Sequence, residues 1–247
     1  MSNILVAKNY NITDHSKWYD DKTHQATSIR RTYSGMQEIL ERTAEKYVAD
    51  LDATTVHDGE ASDIREVFKT HFVEIYDLWK QGHNILYCDL DVMFLQPVKY
   101  FGQHDRFTMF NLTDPHKTTD SHYDVRFDWF FNCGIRYYPK DMQQSVWDLG
   151  LEMLDNWNPE RWDCEQIIYN AMMFAQSPDP KQFYDPTKAF QILADSPLSK
   201  ANSQFNQIQL SQACAVHLHG SRNSENRLET MKALESGAFK SNDVLIL

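Results

Sequence analysis

Two aspartates one residue apart, Asp89 and Asp91, sit inside the apolar run Asn84-Ile-Leu-Tyr-Cys-Asp-Leu-Asp-Val-Met-Phe-Leu-Gln-Pro97. An ionised carboxylate is costly to bury without a partner, so a pair there implies a compensating cation. On an extended strand, side chains at i and i+2 share a face, which lets both reach one ion. Mg²⁺ and Mn²⁺ favour such oxygen ligands and leave coordination positions for substrate phosphates. The pair therefore reads as a metal site that grips a diphosphate. His217 and His219 lie two apart in Val216-His-Leu-His-Gly220, so they share a face of a short predicted strand. An imidazole is a reasonable third ligand for Mn²⁺ beside two carboxylates. His219 reads as a structural, hydrogen-bonded residue, and the other eight histidines read as structural or surface residues.

The elements around these residues alternate between strand and helix. The pattern predicts a strand at Ile4–Ala7, a loop over Asp14–Gln25, a helix over Ser28–Lys46 and a strand at Leu51–Val56 ended by Asp58-Gly59. Ser62 then serves as N-cap for a long helix to Lys80, with Ile64, Phe68, Phe72, Ile75, Tyr76 and Trp79 on one face, and Gly82 closes it. The Asp-Leu-Asp strand follows. Further on, strands are predicted at Arg106–Leu112, at Phe127–Tyr138 with a break at Asn132-Cys133-Gly134, at Phe190–Leu193 and at Ala213–Leu218. Thr113–Tyr123 and Ser177–Pro186 read as loops. Helices are predicted over Lys140–Trp157, over Cys164–Phe174 and from Asn223. Strands alternating with helices of this length imply an α/β fold with a mostly parallel central sheet covered on both sides. Ligands of such sheets bind beyond the carboxyl ends of the strands, where Asp89 and Asp91 fall.

Composition sets the context. The chain has 247 residues, 42% of them hydrophobic, enough for a sizeable core. Its 24 Lys and Arg against 35 Asp and Glu, a net charge of −11, argue against a broad grip on nucleic acid or an anionic membrane. The amino-terminal apolar run is short for a signal peptide, and no stretch reaches the length needed to span a bilayer. Cys88, Cys133, Cys164 and Cys214 are scattered without a CxxC pair and read as small buried hydrophobes. A cytoplasmic, reducing location is the expectation.

The Asp89/Asp91 pair also fits the nucleophile motif of haloacid-dehalogenase phosphatases, with Asp89 as nucleophile. That motif wants Thr or Val where Met93 stands, and a later acidic metal cluster. The plainest reading is two carboxylates capping a loop, which the flanking apolar runs disfavour.

Asn84–Pro97, with the long helix before it, resembles the DxD region of GT-A nucleotide-sugar glycosyltransferases, especially the glycogenin-like and bacterial galactosyltransferase-like retaining group. Three later segments resemble that pattern in the same order. Phe131–Tyr138 is similar to a strand whose asparagine contacts the donor sugar, which maps to Asn132, with Gly134 allowing close backbone approach. Asp163–Asn170 is similar to a DQ segment at a helix start, with Glu165 in the aspartate position and Gln166 after it. Val216–Gly220 is similar to an HxxG element that supplies a metal ligand, which maps to His217. The Lys-Pro-Trp that usually follows that element is missing. Together the pieces span roughly residues 62 to 222.

The resemblance implies a single GT-A domain over 1–247, with 1–112 as the nucleotide-binding half and 113–247 as the acceptor half. It implies transfer of a sugar from a nucleoside-diphosphate sugar, above all a UDP-sugar, to an acceptor hydroxyl, with retention. Asp89, Asp91 and His217 would hold Mn²⁺ or Mg²⁺. Arg222 and Lys69 would approach the diphosphate, and Asn132, Glu165 and Gln166 would orient the donor sugar. An inverting enzyme would need a base, with Glu165 in that role. Short enzymes of this class without signal sequences occur in viruses and phages, where the acceptor is a glycan, a protein or a hydroxymethylated DNA base. The mixed-charge tail argues against a membrane anchor. A non-catalytic nucleotide-sugar-binding protein is the remaining alternative.

Overall fold

The structure is a computed structural model that describes residues 1–12, 26–62, 64–112, 119–120, 125–126, 131–156, 164–177, 179, 185, 188, 190–193, 207–209, 212–219, 224–238 and 244–246. The elements are β1 (Asn3–Ile12), α1 (Ala26–Tyr47), β2 (Ala53–Ala61), α2 (Ile64–Lys80), β3 (Asn84–Cys88), β4 (Val92–Phe94), β5 (Thr108–Leu112), β6 (Thr119–Asp120), β7 (Val125–Arg126) and β8 (Phe131–Tyr138). They continue with α3 (Gln144–Asp155), α4 (Cys164–Gln176), β9 (Phe190–Leu193), β10 (Gln207–Gln209), β11 (Ala215–His219), α5 (Ser224–Glu235) and β12 (Val244–Ile246).

The central sheet has the order β2-β1-β3-β8-β5. Strands β2, β1 and β3 are mutually parallel, β8 runs against β3, and β5 runs against β8. The predicted α/β fold with a mostly parallel sheet is the observed one. Because successive strand residues point to opposite faces, the sheet divides the core in two. Leu5, Ala7, Leu86 and Cys88 join Met36, Ile39 and Leu40 of α1 on one face. Ile4, Val6, Ile85 and Tyr87 join Phe72 and Ile75 of α2, Trp147 of α3 and Met172 of α4 on the other. Each fully buried side chain of this size contributes about 1.5–3 kcal/mol relative to exposure.

Several boundaries differ from the sequence expectation. Strand β2 does not end at Asp58-Gly59; it runs to Ala61, because β1 supplies a parallel partner at every step from Ile4↔Ala53 to Ile12↔Ala61. Helix α2 starts two residues after Ser62, whose N–H donates to Glu66 Oε2 at 2.5 Å. Gly82, at φ +85°, ends it as expected. The predicted loop over Asp14–Gln25 lies outside the described residues, as do most of Ser177–Pro186 and of Thr113–Tyr123; within the last, Thr119–Asp120 forms β6 and not a loop. Strand β8 stays extended through Asn132-Cys133-Gly134, yet its register with β5 shifts there: Met109 faces Arg136 while Asn111 faces Asn132, so β8 carries two extra residues. Such irregularities re-aim side chains. Cys88 is buried and Cys133 and Cys214 half-buried, all three free thiols. Among the described residues, no helix is long and apolar enough to cross a membrane.

A smaller sheet, β4-β11-β9, lies beside the first. Strand β4 follows the two aspartates directly, and β11 pairs with it antiparallel, His217 opposite Val92. Leu218 N–H also donates to Asp91 C=O at 3.0 Å. That ladder brings a residue from late in the chain against the end of β3.

Candidate metal centre

The two aspartates converge, but by a turn and not by strand alternation. Strand β3 ends at Cys88, and Asp89 N–H still donates to Gly134 C=O at 2.8 Å. The chain then folds back, with Val92 N–H donating to Asp89 C=O at 3.1 Å. The turn replaces the expected continuous strand because β11 waits as the partner for Val92–Phe94. Both carboxylates consequently reach His217, whose Nε2 is 3.2 Å from Asp91 Oδ1 and 3.6 Å from Asp89 Oδ2. Asp91 and His217 are buried, whereas 31% of the Asp89 side chain is exposed. One ligand atom from each of the three lies within 4.8 Å of the others.

Burial opposes charge on His217, but the Asp91 carboxylate, by charge and hydrogen bond, and then Asp89 lift its pKa above the ordinary imidazole range. Arg227 of α5 works against this; its Nη1 pairs with Asp91 Oδ2 at 2.7 Å. The Tyr87 hydroxyl, two residues before Asp89, donates to Asp89 Oδ1. The ring of His217 lies flush on Gly134, where a β-carbon would fall 2.3 Å from Cε1. Gly134 is therefore the hollow that seats the imidazole, a closer approach than sequence alone foretold.

Asn132 and Gln166 are drawn together by β8 and α4. Asn132 Oδ1 accepts from Gly134 N–H at 2.8 Å, and its Nδ2 donates to Gln166 Oε1 at 3.3 Å. The buried Asn170 fixes this junction, accepting from Phe131 N–H at 2.9 Å and donating to Phe131 C=O and Gln166 C=O, both at 2.8 Å. Glu165 is buried and engaged elsewhere: its Oε1 accepts from Lys8 Nζ at 3.1 Å and from Arg136 Nη1 at 3.3 Å. Arg136 is fully buried between the faces of Tyr87 and Tyr169, each ring 3.8 Å from its guanidinium carbon.

Of the other expected cations, Lys69 is exposed on α2, with no hydrogen bond to a site residue among the described residues. Arg222, with Gly220, lies outside the described residues, and the side chain of His219 is not described. The sequence reading missed Arg227, Tyr87, Lys8 and Arg136. A signal existed for Arg136: a charge within the aromatic run Phe131–Tyr138 demands a buried partner. For Arg227 there was none, since it meets Asp91 across 136 residues.

No protein-family model and no curated protein matches the chain. Among solved structures, the chain is similar to a glycosyltransferase involved in the glycosylation of the major capsid of PBCV-1. The two share 11% identity, with 94% of this chain and 100% of that chain covered and a TM-score of 0.50. At that identity the likeness is one of fold, and the fold is of the GT-A type.

Proposed function

We propose that this chain is a metal-dependent glycosyltransferase that moves a sugar from a nucleoside-diphosphate sugar, above all a UDP-sugar, to an acceptor hydroxyl. The observation that carries this reading is the convergence of Asp89, Asp91 and His217 just beyond the carboxyl end of β3, where α/β sheets bind ligands. Two carboxylates and an imidazole suit Mn²⁺ or Mg²⁺, and the Gly134 hollow that a β-carbon would fill supports a built site. Asp89, Asp91 and His217 would hold the ion. When bound, it supplies positive charge beside the diphosphate oxygens that become negative as the glycosidic bond breaks.

The chain's own groups do the rest. Arg227, already beside Asp91, is the cation best placed to turn toward a diphosphate; Arg222 and Lys69 are further candidates. The 3.3 Å contact between Asn132 and Gln166 is long enough to yield to sugar hydroxyls, so these two amides would orient the donor sugar. Glu165 is engaged by Lys8 and Arg136, so its carboxylate is already committed to structural contacts. Its role is then to position β8 against α4, which favours retention, a course that needs no dedicated base. In this reading the whole chain is one domain, with 1–112 for the nucleotide and 113–247 for the acceptor. A glycan or protein acceptor fits the net charge of −11 better than a hydroxymethylated DNA base does.

Calorimetry of UDP binding with and without Mn²⁺, followed by hydrolysis and transfer assays over a panel of UDP-sugars, tests the reading. Binding of UDP that strengthens with Mn²⁺, and turnover of at least one donor, are expected. UDP binding indifferent to Mn²⁺ and to Asp91→Asn would refute it.

A further inference from the structure

A second group of metal-competent side chains lies on the other side of Tyr87, sharing no residue with the first. His57 stands on β2, directly opposite Lys8 of β1 in the parallel ladder. His71 and Glu74 lie one turn apart on α2 and so face the same way. The three bring ligand atoms within 4.8 Å of one another. His57 Nδ1 lies 2.8 Å and His71 Nδ1 3.8 Å from Glu74 Oε2. Bonds of about 2.0–2.1 Å in a tetrahedral zinc site set ligand atoms about 3.3 Å apart, and the two distances bracket that value.

The polar atoms here are left without ordinary partners. His71 is 0% exposed, and neither of its ring nitrogens makes a hydrogen bond. His57 Nδ1 is also buried and, despite its distance from Glu74, lacks the alignment of a hydrogen bond. Buried polar groups in this state are rare and call for an occupant. The carboxylate, by contrast, is held from behind: the Tyr10 hydroxyl sits 2.9 Å from each oxygen of Glu74. Gly59 makes room for that tyrosine, since a β-carbon there would fall 2.6 Å from Tyr10 Cε1. An outer partner that orients a carboxylate is characteristic of metal sites. Lys8 and Arg136, the two cations whose charge acts on His71, both pair with Glu165, which offsets their charge.

We infer that His57, His71 and Glu74 form a second site, for a single zinc-class transition-metal ion, clamping β2 to α2. Two imidazoles and one carboxylate are a zinc donor set, chemically unlike the oxygen-rich Asp89 group. The site also abuts the first layer: the His71 ring packs on Tyr87 at 4.7 Å between centroids, and the Tyr87 hydroxyl contacts Asp89.

The test uses the full chain stripped with a chelator, then titrated with Co²⁺ under excess Mg²⁺, following the visible spectrum of tetrahedral Co²⁺ and the metal retained after gel filtration. The wild type and His217→Gln should each retain one equivalent with the tetrahedral spectrum, displaced by Zn²⁺. Glu74→Gln and His57→Gln should weaken binding by more than the roughly 10–100-fold that loss of an outer partner costs. Tyr10→Phe leaves every ligand in place and should weaken it by about tenfold, which keeps the test decisive if a ligand variant fails to fold. Absence of the tetrahedral spectrum in wild type, its loss in His217→Gln, or wild-type affinity in the Glu74, His57 and Tyr10 variants would overturn the inference.

Discussion

Replacing Gly134 by alanine should damage the molecule only while His217 is present. The added carbon would lie 2.3 Å from Cε1, 2.6 Å from Nδ1 and 2.8 Å from Nε2 of His217. Carbon contacts are comfortable from about 3.5 Å, so the ring must retreat by about 1 Å. Overpacking of this kind costs about 1–3 kcal/mol. Against it stands a gain of about 0.5–1 kcal/mol for exchanging glycine for alanine within a strand. The net loss is then about 0–2.5 kcal/mol, a fall in Tm of up to about 10 °C for a chain of this length. A retreating ring also moves Nε2 away from Asp91, now 3.2 Å distant, and Mn²⁺ affinity should fall about 10–100-fold. In a His217→Ala background the collision vanishes and the sign reverses: Gly134→Ala becomes neutral or stabilises by up to about 1 kcal/mol. Thermal unfolding of the four proteins of this double-mutant cycle, with Mn²⁺ calorimetry on the single variant, gives the coupling, expected at about 1–3 kcal/mol. Equal destabilisation in both backgrounds would refute the seating of His217 on Gly134.

Asp91→Asn should abolish sugar transfer while circular dichroism stays that of wild type; an active variant would remove Asp91 from the site. Chelation should likewise abolish transfer, and Mn²⁺ or Mg²⁺ should restore it, which an activity assay before and after dialysis measures. Arg227→Ala should strengthen binding of Mn²⁺ alone, since it removes a cation 2.7 Å from Asp91, yet weaken UDP binding in the presence of Mn²⁺ by about tenfold, the scale of one charge-assisted hydrogen bond. Calorimetry in both formats separates the two effects. Arg136→Met leaves Glu165 with Lys8 as its one remaining cation among the described contacts and should cost about 3 kcal/mol, read as a Tm lower by about 6–12 °C. Arg136→Lys should not restore it, because an ammonium cannot lie flat between Tyr87 and Tyr169.

The fold was legible wherever local pattern and tertiary partner agree. Strand β3, the apolar face of α2 and its Gly82 terminus follow directly from residue types. Strand β2 does not: Asp58-Gly59 is a good local stop, but a ladder with β1 outweighs it. The site shows the same division. Asp89, Asp91 and His217 could be singled out by chemistry and motif order, whereas the turn that joins the aspartates depends on β11 arriving beside β4. Glu165 was visible as an acid at a helix start; its burial against Lys8 and Arg136 depends on the stacking of α4 on β1 and β8. His71 and Glu74 were visible as neighbours on one helix, but His57 joins them through the β1–β2 register and the seating of α2. Arg227 depends wholly on where α5 docks.

The pairing of β11 with β4 carries a consequence for biosynthesis. A nascent polypeptide released before residue 215 would own both aspartates and the whole central sheet but not the imidazole that meets them. Closing so large a loop is entropically slow, so His217 should join the two aspartates last, after the central sheet has already taken shape. Premature termination would leave the two aspartates without their histidine partner.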